Sequence, residues 1–106
     1  MNYIVFDLEW NQCPYGKEKE NKKLPFEIIE IGAVKLDENR NIVDSFQEII
    51  KPVVYQRLHF RTKEILGITS KRLEEGIPFK RAVKKFLDWC GTDVKFCTWG
   101  SADLVE

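Results

Sequence analysis

Apolar residues follow strand spacing before Pro52 and helical spacing after it, and this change constrains the fold of the chain more than any other feature. Three strands are predicted before Pro52, at residues 3–6, 26–36 and 42–50, because these segments are rich in β-branched and aromatic residues. The first is an unbroken apolar run of the kind found at the centre of a sheet that helices cover. A polar turn at residues 37–41 joins the second and third strands, which predicts an antiparallel hairpin.

Two short helices are predicted in the middle of the chain. One covers residues 62–66 and ends at Gly67, a residue type that commonly follows the last helical turn. Thr69 or Ser70 caps the other, which continues to Glu75, because threonine and serine side chains accept hydrogen bonds from the first helical N–H groups.

A longer helix begins at Pro78 and ends before Gly91, since proline suits a first turn and glycine a C-terminal cap. A strand at residues 95–99 follows, and Ser101 is a suitable cap for a further helix. The order of strands and helices is that of a mixed α/β fold. The apolar residues of the long helix recur at i, i+3, i+4 and i+7 and predict one buried face, formed by Phe79, Ala82, Val83, Phe86, Leu87 and Cys90.

Composition limits the classes of function. Lys plus Arg and Asp plus Glu both number 17, so the formal net charge is +0 and nucleic acid cannot be held by bulk charge alone. The three cysteines have no C-x-x-C spacing, which indicates reduced thiols. We find no segment with the pattern of a signal peptide or a membrane span, so a cytoplasmic protein without a membrane partner is expected.

Asp7 and Glu9 form a D-x-E pair where the first apolar run ends. By chance alone ~0.6 such pairs are expected in a chain of this composition, so the motif is a weak indication by itself. Its position adds weight, because a carboxylate in a buried strand is costly unless it is paired or binds a metal. Residues i and i+2 of a strand share one face, and clustered carboxylate oxygens suit Mg²⁺ or Mn²⁺. The alternative is that Asp7 caps a turn and Glu9 is a solvated loop residue.

Several segments then occur in the order seen in one enzyme family. They are residues 4–10 (IVFDLEW), 27–34 (EIIEIGAV), 66–69 (LGIT), the helix at residues 78–89, and residues 98–103 (TWGSAD). Together they resemble the DEDD 3′–5′ exonucleases, which include ribonuclease T, oligoribonuclease and the proofreading subunit of bacterial DNA polymerase III. The resemblance covers nearly the whole chain and implies a ribonuclease H-like mixed sheet flanked by helices.

The resemblance also implies functional residues. Two Mg²⁺ or Mn²⁺ ions flank the scissile phosphate in this family, and they have three matching carboxylates here, Asp7, Glu9 and Asp103. The terminal nucleotide would be held by residues at the first motif and the LGIT segment, namely Leu8, Trp10, Leu66 and Thr69. Trp10 and Leu66 are the candidates for packing against its base.

The third family motif has no counterpart in the chain. That motif carries a fourth carboxylate, preceded by a histidine or a tyrosine, whereas His59 lies before the second motif and is therefore expected to be a loop or surface residue. Residues 1–106 are accordingly expected to be the N-terminal part of a single exonuclease domain, truncated at its C-terminal side and weakly active or inactive alone.

Single-stranded nucleic acid is the expected substrate, with RNA favoured over DNA. Two other functions remain open: a non-catalytic nucleic-acid-binding or regulatory module of the same fold, and a nuclease of the ribonuclease H type. The oligomeric state is undetermined. Glu30 is expected on a solvated strand face and Trp89 in the core, whereas a basic patch is equally consistent with backbone binding and with an ordinary surface: Arg57, His59, Arg61 and Lys63.

Overall fold

The computed structural model describes residues 1–15, 26–55, 58–67 and 69–98. Its four strands are β1 (Asn2–Gln12), β2 (Phe26–Leu36), β3 (Ile42–Ile49) and β4 (Val94–Cys97). Its three helices are α1 (Phe60–Leu66), α2 (Ser70–Glu74) and α3 (Phe79–Cys90). The predictions for Arg57, Trp99, the Ser101 helix and Asp103 lie outside the described residues.

The strands form one mixed sheet in the order β3-β2-β1-β4. β1 pairs antiparallel with β2 and parallel with β4, and β2 pairs antiparallel with β3, which confirms the predicted hairpin. Asp37 closes that hairpin, because its Oδ1 accepts hydrogen bonds from the backbone nitrogens of Asn39 and Asn41, both at 2.9 Å. The chain is thus a mixed α/β fold with β1 inside the sheet.

β1 is longer than the sequence indicated, since the predicted strand covered residues 3–6 and the observed strand extends to Gln12. The reason is its pairing with β2, which continues to the Gln12–Phe26 pair. Backbone N–H and C=O groups form these ladder bonds whatever their side chains, so polar residues continue the strand.

Helix α3 covers one face of the sheet. Ala82 is fully buried against Ile31 and Ile50, and Cys90 is buried against Ile4 and Ala33. The helix begins after Pro78 and ends at Gly91, which has a φ of 72°, as predicted. Phe79 and Leu87 are an exception to the predicted buried face, since about half of each side chain is exposed, 47% and 53%.

Trp89 joins α3 to β3. Its ring packs on Phe46, with the ring centroids 5.4 Å apart, and its Nε1 donates a hydrogen bond to Asp44 Oδ2 at 2.9 Å. That hydrogen bond is the main reason why the pKa of Asp44 lies below its usual range, with a further contribution from the Ser45 backbone N–H. Trp89 is therefore a half-buried residue at the core edge, with Asp44 and Lys35 as polar partners.

The two short helices, α1 and α2, pack against the N-terminal half of β2. Gly67, with a φ of 65°, ends α1, and Thr69 caps α2 by accepting a hydrogen bond from the Arg72 backbone nitrogen at 3.2 Å. Leu73 of α2 and Leu66 of α1 both pack against Ile29 of β2. Both predicted helices are confirmed.

A β-bulge separates the two packing regions. The register between β1 and β2 shifts between Glu9 and Trp10, so Glu9 pairs with Glu30 and Trp10 with Ile28. Ile28 packs in the cluster beneath α3, whereas Ile29 packs against Leu73. Ile28 and Ile31, three residues apart, both pack in the cluster beneath α3, so strict alternation fails between them, as expected where a bulge adds one residue to one strand. Alternation still holds between Glu30 and Ile31, which lie on opposite faces.

Candidate active site

The D-x-E pair lies in the middle of β1. Asp7 and Glu9 are two residues apart in the strand, before the bulge, so they share a face with Cα atoms roughly 7 Å apart. Phe6 and Leu8 alternate with them and pack in the clusters beneath α3. The two carboxylates therefore lie on the sheet face opposite α3.

Asp7 is exposed, which corrects the expectation of a carboxylate in a buried run. Its partner across the β1–β2 ladder is Gly32, which has no side chain. A Cβ added at Gly32 would meet no atom within 4 Å, so there is open space beside Asp7. The carboxylate thus avoids the cost of desolvation and has room for a ligand next to it.

Glu9 lines an open cleft of about 290 Å³ between β1, β2, β3, the end of α1 and α2. Leu66 also lines this cleft, so the structure brings these two predicted site residues together. The complete lining is Glu9, Glu30, Gln47, Ile49, Leu66, Gly67 and Arg72. Ile49 and Leu66 give the cleft an apolar part beside its charged groups.

Glu30 is half-buried and lies next to Glu9, although a solvated face was predicted for it. Its Oε1 accepts a hydrogen bond from Gln47 Nε2 at 3.2 Å. Sequence reasoning missed Gln47 and Arg72 as lining residues. No local pattern marks them, because strand register places Gln47 there and the packing of α2 places Arg72.

The other three predicted substrate-binding residues, Leu8, Trp10 and Thr69, lie in different surroundings. The Leu8 side chain packs in the Ile31 cluster on the α3 side, which leaves only its backbone for the opposite face. Trp10 is half-buried at the bulge, opposite Ile28. Thr69 holds the first turn of α2 through its cap. A role in substrate binding remains a prediction for all three.

The described carboxylates suit a divalent metal ion in their chemistry. Asp7 and Glu9 offer hard oxygen donors on one face, next to the open space at Gly32. Within residues 1–15, 26–55, 58–67 and 69–98 no group of three ligand-type side chains converges. The third predicted ligand, Asp103, lies outside these ranges.

Two polar side chains of neighbouring strands fix the segment that leads into α1. Glu27 accepts three hydrogen bonds, from the backbone nitrogens of Val53 at 2.8 Å, Val54 at 3.0 Å and Tyr55 at 2.9 Å. Asn11, its partner across the ladder, is fully buried, and its Oδ1 accepts a hydrogen bond from the backbone nitrogen of His59 at 2.9 Å. This Asn11–Glu27 clamp sets where α1 begins and hence where its end meets the cleft.

The predicted basic patch is described only in part. The imidazole of His59 is half-buried, and the Lys63 side chain is exposed. The side chains of Arg57 and Arg61 lie outside the described set. Backbone binding by this patch stays a prediction.

Comparison with known proteins identifies the family. The model of the RNase_T exonuclease family matches residues 4–103 of the chain. The chain belongs to this family of DEDD 3′–5′ exonucleases. A probable 3′–5′ exonuclease of Bacillus subtilis, KapD, is 30% identical over 102 residues, which are 95% of this chain and 48% of that protein. The exonuclease family is thereby favoured over the ribonuclease H alternative, and the chain spans about half the length of KapD.

Solved structures of this family share the fold. The nuclease domain of 3′hExo, a DEDDh family member bound to rAMP, superposes with a TM-score of 0.79 at 27% identity over 97% of this chain and 54% of that one. A 3′-exonuclease that recognises the histone mRNA stem-loop superposes with a TM-score of 0.82 at 26% identity, over 99% of this chain and 38% of that one. The mixed sheet and its helices are therefore those of the ribonuclease H-like exonucleases, as predicted.

In the part of the chain that the structure describes, no helix is long and apolar enough to cross a membrane.

Proposed function

We propose that the protein is a metal-dependent 3′–5′ exonuclease that removes nucleotides from the 3′ end of single-stranded nucleic acid. The observation that carries the proposal is the position of Asp7 and Glu9 on one open strand face, with Glu9 also lining the cleft. Membership of the exonuclease family supports it. So does KapD, whose own name is that of a probable 3′–5′ exonuclease.

Asp7 and Glu9, together with Asp103, would hold two Mg²⁺ or Mn²⁺ ions. When bound, these ions supply positive charge that stabilises the charge developing on the phosphate and on the departing oxygen. The protein's own contribution is to orient these carboxylates. β1 fixes two of them on one face, and Gly32 leaves space for the phosphate beside Asp7.

The terminal nucleotide would lie in the cleft beside Glu9. Ile49 and Leu66 offer an apolar wall for its base, and such packing accepts any base because each one has an aromatic face. The Asn11–Glu27 clamp holds the start of α1 and so keeps Leu66 in place. The site is therefore suited to trimming without sequence preference.

We propose RNA as the preferred substrate. Two similar structures support this choice, since one recognises a histone mRNA stem-loop and the other was bound to rAMP. The zero formal net charge indicates that affinity arises from local contacts and bound cations rather than from the overall field of the protein.

The test is degradation of a 5′-labelled oligoribonucleotide in Mn²⁺, measured on the full-length gene product and on this chain. The expected result for the full-length protein is a ladder that shortens from the 3′ end. Asp7→Asn and Glu9→Gln should each abolish it, because each removes one metal ligand. Asp88→Asn is the matched control. The Asp88 side chain is exposed on α3 and lies away from the cleft, so this exchange should leave the ladder unchanged.

Binding without shortening of the oligonucleotide would indicate a different function. If the full-length protein binds the oligoribonucleotide but neither RNA nor DNA is shortened in Mn²⁺ or Mg²⁺, the protein is a binding or regulatory module. A DNA oligonucleotide of the same sequence tests the substrate preference, and faster trimming of DNA would contradict the RNA proposal.

A further inference from the structure

Helix α2 places Arg72 between two neighbouring clefts. The first is the cleft beside Glu9, and the second, of about 250 Å³, is lined by Gln47, Glu48, Ile49, Arg72, Glu75 and Gly76. Gln47, Ile49 and Arg72 line both. The two clefts therefore form one groove that leads from Glu9 past Arg72 towards Gly76.

The groove is acidic apart from Arg72. Acidic residues line it on both sides of this residue, Glu9 and Glu30 in the first cleft and Glu75 in the second, whereas the carboxylate of Glu48 is turned towards Lys85 of α3. Among the described lining residues Arg72 is the one cation. A phosphate in this groove is repelled along most of its length and attracted at one point.

The Arg72 guanidinium is available for such an anion. Its side chain is exposed and makes no hydrogen bond or ion pair with a described residue, and only its backbone nitrogen is engaged, by Thr69. Glu48 of the same groove is instead paired with Lys85 at 3.1 Å. The cation nearest to the cleft is therefore left without an acidic partner in the described part of the chain.

We propose that Arg72 binds a phosphate of the nucleic-acid strand where the strand leaves the active site, and so fixes the register of the 3′ end. A guanidinium can bind two phosphate oxygens at once through its fork of N–H groups. The proposal rests on the proposed function, since it assumes that the terminal nucleotide occupies the cleft beside Glu9. It adds the path of the nucleic-acid strand, which would run along the groove between β3 and α2.

A phosphate contact has a signature that distinguishes it from base recognition. It carries no sequence information, so its loss weakens binding to all sequences equally. It also releases counterions, so its loss makes binding less sensitive to salt. Arg72 acts in this scheme as a positioning residue that does not touch the reacting atoms.

The test is fluorescence anisotropy of 5′-labelled oligoadenylate and oligouridylate with the full-length protein, in EDTA and over a series of salt concentrations. Arg72→Gln should weaken binding of both oligonucleotides roughly 3- to 10-fold at low salt. The slope of log affinity against log salt should fall by about 0.7, the value for one phosphate of a single strand. Arg72→Lys should keep the salt slope and lose part of the affinity, because it retains the charge without the fork.

Arg81→Gln is the matched control, because Arg81 is an exposed arginine of α3 that lines neither cleft. It removes the same charge and should leave both affinities unchanged. Equal losses for Arg72→Gln and Arg81→Gln would overturn the proposal, since only the overall charge would then matter. Failure of the proposed function is distinguishable, because the trimming assay reports it separately: full-length protein that binds both oligonucleotides but shortens neither refutes the exonuclease. Wild-type protein that binds neither oligonucleotide, or an unchanged salt slope in Arg72→Gln, overturns the Arg72 proposal.

Discussion

Replacing Glu27 by alanine should destabilise the fold more than any other exchange of a single carboxylate that the described structure shows. Glu27 accepts hydrogen bonds from three consecutive backbone nitrogens, those of Val53, Val54 and Tyr55, at 2.8 to 3.0 Å. The exchange removes all three acceptor contacts at once. It also frees the segment that leads into α1.

The magnitude follows from how well water can replace each bond. Val53 and Val54 are 74% and 37% exposed, so water can reach their N–H groups and each bond contributes about 0.5–1.5 kcal/mol. Tyr55 is 3% exposed, and leaving its N–H group unsatisfied costs about 1–3 kcal/mol. Because the three bonds share one carboxylate they do not simply add, and we expect a loss of about 3 kcal/mol.

The assay is urea unfolding followed by tryptophan fluorescence, with the free energy of unfolding taken from midpoint and slope. Glu27→Gln should lie between wild type and Glu27→Ala, because an amide retains one acceptor oxygen without the charge. Glu64→Ala is the control, since Glu64 is exposed on α1 and has no hydrogen bond or ion pair with a described residue. A loss below about 1 kcal/mol for Glu27→Ala, or a loss equal to that of Glu64→Ala, would refute the clamp.

Three further predictions concern other positions. Gly76→Ala should cost about 1–3 kcal/mol in urea unfolding, because its Cβ would lie 2.7 Å from a backbone nitrogen, and an unchanged midpoint would contradict this. Gly32→Ala should retain or raise the melting temperature, since its Cβ meets no atom within 4 Å, yet slow Mn²⁺-dependent trimming by filling the space beside Asp7. Equal trimming rates for Gly32→Ala and the wild type would contradict the proposal that the space beside Asp7 is used by the substrate. Asp44→Asn should lower the melting temperature slightly at neutral pH, because the Trp89 hydrogen bond holds the pKa of Asp44 below its ordinary value of 3.8. A carboxyl group whose pKa is lower in the folded than in the unfolded state stabilises the fold at pH values above its unfolded pKa, and this contribution is lost as the pH falls through the folded pKa. The difference in melting temperature between Asp44→Asn and wild type should therefore narrow over that pH range.

The sequence itself determined the elements whose signals are local. Pro78, Gly91 and the spacing of apolar residues fixed the long helix, and Thr69 and Gly67 marked the ends of the short ones. Backbone preferences and capping act within a few residues, so each can be recognised without the rest of the fold. The position of Asp7 and Glu9 on the same strand face can be recognised in the same way, because side chains alternate along a strand.

Only the tertiary structure decided the surroundings of that pair. Asp7 is open because Gly32 lies across the ladder, and the cleft exists because α1 and α2 approach Glu9. The bulge between the Glu9–Glu30 and Trp10–Ile28 pairs depends on the register of two whole strands. The hydrogen bonds of Glu27 join residues 26 to 28 positions apart. Such contacts depend on where distant segments meet, and hydrophobic periodicity gives the faces of each element but not the partners across from them.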